Sequence, residues 1–136
     1  MEIIKLGGED QRLYYLVARL IMNETVLNYN LNYPYKTSQE YKWFIAVEKE
    51  NTLGFIPVKL KDGKAMINNY YVADDDKEIF SMLLREVIQE FLPDIEIESV
   101  TQIRHIPHFE QNGFSITLYW KRYVKMKVLR NEKECL

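Results

Sequence analysis

The sequence predicts one domain of the α/β (α+β) class, and three observations carry that prediction. Short runs rich in β-branched and aromatic residues recur between Gly, Pro and Asn signals, as strands do. Two segments, around residues 11–21 and 77–92, instead space their apolar residues at helical intervals. The chain has 136 residues, 47% of them hydrophobic, which suffices for a single buried core without a metal or disulfide.

The elements follow in order. Residues 2–6 form a first strand, stopped by Gly7-Gly8. Asp10 caps a helix whose apolar stripe is Leu13, Leu16, Val17, Leu20 and Ile21. A polar, tyrosine-rich segment over 28–41 is broken by Pro34 and contains a short helix near 37–41. Residues 43–47 and 53–60 are the second and third strands, joined by a turn at 49–51. Pro57 lacks an N–H, so the third strand is an edge there or meets a bulge. Asp62-Gly63 forms a tight hairpin turn into a fourth strand over 65–72, because Gly tolerates positive φ. The acidic triplet Asp74-Asp75-Asp76 opens the strongest helix, 77–92, with Phe80, Leu83, Leu84, Val87, Ile88 and Phe91 on one face. Pro93 ends it. A fifth strand over 95–100 leads to a short, proline-interrupted helical piece over 105–111. Asn112-Gly113 then turns the chain into strands over 114–120 and 123–129.

Composition excludes several classes. The formal charge is −2, without the basic surplus of a nucleic-acid binder. The basic residues Lys121, Arg122, Lys125, Lys127 and Arg130 alternate with apolar ones, which reads as a solvated strand face. Cys135 is the single cysteine, so no intramolecular disulfide forms, and a cytoplasmic, reducing setting is expected. The N-terminus lacks a signal-peptide pattern, and no apolar run is long enough to cross a bilayer. No P-loop, dinucleotide fingerprint or nucleophile elbow is present. Asn23-Glu24-Thr25 is a formal glycosylation tripeptide only. His105 and His108 lie three apart, but no Cys or carboxylate at ligand spacing completes a metal site. A histidine can instead act as acid or base near neutral pH.

The order of elements, with a three-strand meander before a long helix, resembles the GNAT superfamily of N-acyltransferases. Residues 43–47 through Leu53-Gly54-Phe55-Ile56 are similar to the family's second and third strands, and 67–72 to its fourth. Residues 77–91 look like its cofactor-side helix. Phe109-Glu110-Gln111-Asn112-Gly113-Phe114 resembles the aromatic-x-x-x-Gly-Phe signature before the sixth strand. The resemblance implies a GNAT-like mixed, mostly antiparallel sheet with helices on both faces, and transfer of an acyl group from acetyl-CoA or another acyl-CoA to a primary amine. The acceptor is then a small molecule or a peptide, with neither nucleic acid nor membrane as partner. A GNAT-like binding or assembly module without catalysis is the alternative, with self-association into a homodimer.

The resemblance also assigns residues. In the family the fourth and fifth strands splay apart, pantetheine lies in the gap, and the pyrophosphate rests on amides at the following helix start. Those positions are Tyr70, Tyr71, Val72, Lys77, Glu78 and Ile79. One of Tyr70 and Tyr71 faces the core and the other the gap. Tyr71, His105 and His108 are the candidates for proton transfer. The tyrosines at 29, 33, 35 and 41 lie where the family builds its acceptor pocket. Three departures accompany this assignment. Residues 73–82 contain no glycine and place three carboxylates where a phosphate would approach. The position of the family's acidic tyrosine is Phe109, and that of a frequent asparagine is Gln102. Pro107 is expected to disturb its helix.

Overall fold

The computed structural model describes residues 1–128. Arg130, Cys135 and the predicted end of the last strand at Leu129 lie outside the described residues. Eight strands and four helices follow in the order β1 (Glu2–Gly7), α1 (Gln11–Ile21), α2 (Glu24–Tyr29), β2 (Tyr41–Glu48), β3 (Asn51–Lys61), β4 (Lys64–Ile67), β5 (Tyr71–Val72), α3 (Lys77–Phe91), β6 (Glu96–Gln102), α4 (Ile106–Glu110), β7 (Phe114–Tyr119) and β8 (Tyr123–Val128). They build one sheet in the order β1-β2-β3-β4-β6-β8-β7, with β5 paired to β3. Every pairing is antiparallel except β4 with β6.

The alternation of side chains along β2 and β3 divides the core into two layers. Phe44, Ala46, Ile56 and Val58 face α3, together with Ile97, Val124 and Met126. Trp43, Ile45, Val47 and Phe55 face α1 and α2. On α3, Phe80, Leu83, Leu84, Val87 and Phe91 are buried, as their spacing predicts. Each such side chain contributes roughly 1.5–3 kcal/mol, so this stripe fixes the helix on the sheet. Lys5 reaches Glu86 and Glu90 at 3.0 and 3.3 Å, and Lys42 reaches Glu90 at 2.9 Å, tying the outer side of α3 to β1 and β2.

Several boundaries differ from the sequence-based expectation. The helix expected at 37–41 is absent: that stretch is irregular and ends in a turn at 39–40, and Tyr41 begins β2. It packs against Gly8, where an added Cβ would stand 2.0 Å from the Ser38 carbonyl oxygen. Thr37 locks the crossing by donating to the Gly8 carbonyl at 2.7 Å and accepting from the Trp43 indole at 2.9 Å. An unexpected helix, α2, stands earlier instead. Its N-cap is Asn23, whose side chain accepts from Thr25 N at 2.8 Å and Val26 N at 3.4 Å. The tripeptide that looked like a glycosylation signal is therefore a cap.

Pro107 does not disturb α4. It sits in the first turn, where the missing N–H is not needed and its φ suits the helix. The basic residues of β8 are not simply solvated, because Lys125 pairs with Glu98 at 3.1 Å and Lys127 pairs with Glu96.

The predicted fourth strand is two strands. β4 pairs with β3 as far as Val58↔Ile67, and β5 resumes at Phe55↔Tyr71. Between them the chain is irregular, with Asn69 at φ 56°. Pro57 falls opposite this interruption, so its missing N–H costs no ladder bond on that side. Gly54 lets β5 approach: a Cβ there would meet the Tyr71 carbonyl oxygen at 2.8 Å. The parallel β4–β6 ladder ends at Ile67↔Ser99. Beyond it β5 and β6 have no mutual ladder, and the sheet opens into a gap.

Candidate active site

The gap between β5 and the end of β6 is lined by residues from five places along the chain. Tyr70 enters from the β4–β5 interruption, and Gln102 ends β6. His105 lies in the single turn that leads into α4. Asp75 stands in the turn between β5 and α3, where Asp74 and Asp75 both have positive φ, 58° and 49°. Tyr29 comes from the end of α2.

Hydrogen bonding fixes the protons. The Gln102 backbone N–H donates to the Tyr70 hydroxyl oxygen at 3.0 Å. The Tyr70 hydrogen is thereby directed to His105 Nδ1, 2.7 Å away. His105 carries its own hydrogen on Nε2, which faces Asp75 Oδ1 at 2.8 Å. The Tyr29 hydroxyl lies 3.2 Å from the same nitrogen, and its ring stacks on the imidazole. Burial pushes the His105 pKa down to about 4, although Asp75 opposes the shift. The imidazole is therefore neutral at neutral pH, and its contact with Asp75 is a hydrogen bond from a neutral ring to a carboxylate. Burial alone would raise the Asp75 pKa, but hydrogen bonds from Tyr29, His105 and Arg104 outweigh it and hold the group below its ordinary value. Burial raises the Tyr70 pKa well above the ordinary phenol range, so its hydroxyl keeps its proton. The resulting Asp75–His105–Tyr70 relay ends in a phenol that can give a proton and an imidazole that can take one.

The expected site residues divide between this network and its surroundings. His105 and Tyr70 are at its centre, both essentially inaccessible to solvent. Tyr71 points to the opposite layer and packs on Tyr29 and Phe55, with ring centroids at 5.0 and 5.7 Å. His108 stacks on Phe80 at 4.6 Å, and its ring centre is 6.1 Å from that of His105. Val72 is buried in the layer facing α3. Lys77, Glu78 and Ile79 form the first turn of α3. The amides of Glu78 and Ile79 are not free, because the Asp76 carboxylate accepts from both, at 2.9 and 3.1 Å. The Asp triplet thus has two jobs: Asp76 caps α3, and Asp75 holds His105.

Phe109 is buried and supplies no hydroxyl, but the Tyr70 ring lies beside it with centroids 5.3 Å apart. The phenol missing at 109 is thus present in the β4–β5 interruption. Sequence reading did not find the roles of Asp75, Arg104 and Tyr29. They lie 30 or more residues from at least one partner, and no local spacing announces them. Arg104 closes the gap toward solvent, donating to Asp75 at 3.1 Å and lying 4.6 Å over the Tyr29 ring. A half-exposed pair of this kind holds by less than about 1 kcal/mol, so this cover can part.

On the other face of the sheet a cavity of about 470 Å³ opens beside the β4–β5 interruption. Tyr33 and Tyr41 stand in its wall, and Asn68 and Asn69 form the end nearest the gap.

In fold, the chain is similar to solved N-acetyltransferases. Escherichia coli ElaA superposes with a TM-score of 0.73 at 13% identity, covering 95% of this chain and 100% of that one. An acyl-CoA N-acyltransferase from Pseudomonas aeruginosa gives the same TM-score, identity and coverage. The Campylobacter jejuni N-acetyltransferase PseH, in complex with acetyl coenzyme A, gives a TM-score of 0.62 at 15% identity over 96% of this chain and 100% of its own. No protein-family model matches the chain, and no curated protein matches it in sequence. Among the described residues no helix is long and apolar enough to cross a membrane.

Proposed function

We propose that the protein is a GNAT-type N-acyltransferase that moves an acyl group from acyl-CoA to a primary amine. The observation that carries this reading is the unladdered gap between β5 and β6, with the Tyr70 phenol at its base held by His105 and Asp75. Bound acyl-CoA would supply the thioester carbonyl that the amine attacks and the sulfur that leaves. The free edge of β5 and the interruption at Tyr70 would receive its arm, once Arg104 and Tyr29 move aside. The diphosphate end meets a competitor, since Asp76 already occupies the Glu78 and Ile79 amides. Asp76 is exposed, so its carboxylate can rotate away and leave those donors to a ligand. The Tyr70 hydroxyl gives its proton to the departing thiolate and regains one shed by the amine nitrogen, while His105 Nδ1 holds the phenol in place, so protons balance at the Tyr70 oxygen. Tyr71 and His108 flank this centre as proposed contributors to substrate packing. A small molecule or peptide amine is the acceptor, and a cytoplasmic setting suits acyl-CoA as donor.

The test is release of free thiol from acetyl-CoA in the presence of a panel of primary amines. Tyr70→Phe is expected to lower kcat at least tenfold while leaving the amine KM within about twofold. Absence of thiol release with every donor and acceptor, at protein concentrations near that of the substrate, would remove the catalytic reading. One observation favours a second reading, a GNAT-like binding module without catalysis: the amides and the gap are already filled by the chain's own side chains. Acyl transfer that disappears on substituting Tyr70 rules that reading out.

A further inference from the structure

We propose that the cavity on the α1–α2 face binds a small amine-bearing acid, with its amine directed toward Asn68 and Asn69 and its acidic group held by Lys36 and Lys59. As a statement about the acceptor's class it rests on the acyltransferase reading; as a binding site it stands apart from it. The walls carry the argument. Lys36 and Lys59 both line the cavity, and neither has a carboxylate partner among the described residues. No Asp or Glu lines it. The carboxylate borne by β6 beside Met66, that of Glu98, is already held by Lys64 at 3.2 Å and Lys125 at 3.1 Å. A cationic ligand such as a polyamine therefore finds no counter-charge, whereas an anion finds two unpaired ammonium groups.

Two further features fit a ligand with a flat body. The Tyr123 hydroxyl is buried, lines the cavity and has no hydrogen-bond partner, so a ligand oxygen or nitrogen would satisfy it. Tyr33, Tyr41, Pro57 and Met66 supply apolar and aromatic wall, and Lys59 lies 6.0 Å over the Tyr41 ring. At the other end, Asn69 accepts from Asn30 at 2.5 Å, and Asn30 in turn lies 3.5 Å from the Gln102 amide. This polar bridge connects the cavity floor with the residue whose backbone holds Tyr70. A primary amine seated at Asn68–Asn69 thus points at the site where the relay operates.

The test uses three probes with one frame: 4-(aminomethyl)benzoate, 4-(aminomethyl)phenylphosphonate and 1,4-bis(aminomethyl)benzene. Binding is followed by calorimetry and ligand-observed NMR without any CoA, so the outcome is independent of thioester chemistry. Either acidic probe is expected to bind at least tenfold more tightly than the diamine, and comparison of the two separates carboxylate from phosphonate recognition. The double variant Lys36→Gln/Lys59→Gln, which alters two lysines without ion-pair partners, is expected to lose at least tenfold in affinity for the acidic probe. Raising salt from about 50 to 500 mM should weaken that binding several-fold. Equal or tighter binding of the diamine, no binding of any probe, or no effect of the double variant would overturn the proposal. Probe binding together with no thiol release from any acyl-CoA and any amine would leave this site standing and remove the acyltransferase reading instead.

Discussion

Tyr70 and His105 set what the centre can do, because each satisfies a group that would otherwise be buried without a partner. Replacing Tyr70 by Phe strands the Gln102 N–H and His105 Nδ1 together. A loss of about 2–4 kcal/mol in unfolding free energy is therefore expected by denaturant titration. His105 makes a separate prediction in pH. Its folded pKa of about 4 lies below the ordinary 6.5, so the unfolded chain binds more protons between these values. Stability is full above pH 6.5 and falls as the solution is acidified toward pH 4. The loss between pH 7 and 4.5 is about 2–3 kcal/mol, and it should vanish in His105→Gln. Asp75, shifted the opposite way relative to its charge, adds its own loss only below its unfolded value near 3.8. Thermal unfolding across that range separates the two, and an unchanged pH slope in His105→Gln would contradict the assignment.

Among the elements, α3 is the one whose start decides both stability and ligand access. Asp76→Ala removes the cap from Glu78 N and Ile79 N and should cost about 1 kcal/mol, whereas Asp76→Ser keeps a capping oxygen and should cost only a few tenths. Gly54→Ala would force a Cβ to 2.8 Å from the Tyr71 carbonyl oxygen. A destabilisation of about 1–3 kcal/mol is expected, with weakened exchange protection at Phe55, paired to β5.

The same elements show what sequence can reveal. The stripe of α3, the Asp62-Gly63 hairpin and the Asp10 cap are local patterns, and each stands where its spacing placed it. The break in β4, α2 and the irregular 33–40 segment are set by tertiary partners. Pro57, Gly54 and Gly8 mark those places only once the neighbouring strand or loop is known. The site was legible in part for the same reason. The sequence singles out His105 and Tyr71 for proton transfer and Tyr70 only as a cofactor contact, whereas it is Tyr70 that hydrogen-bonds His105; Asp75 and Arg104 join them through contacts that no periodicity encodes.

Across the whole molecule, a mixed sheet is held closed at one end by the β4–β6 ladder and left open at the other, with helices on both faces. One side of that opening holds a neutral proton relay, and the other face holds a lysine-bearing cavity. In the proposed reaction, donor and acceptor approach from opposite faces. The account depends on the opening admitting a thioester-bearing arm against the competition of Asp76. Thermal unfolding under increasing acetyl-CoA tests this most directly, since a ligand that binds only the folded chain stabilises it by RT ln(1 + [L]/Kd), about 2.7 kcal/mol at 100-fold excess over Kd. The account predicts a rise in melting temperature that saturates with acetyl-CoA, at lower concentration in Asp76→Ser than in the natural chain. No rise in either protein up to millimolar acetyl-CoA would contradict it.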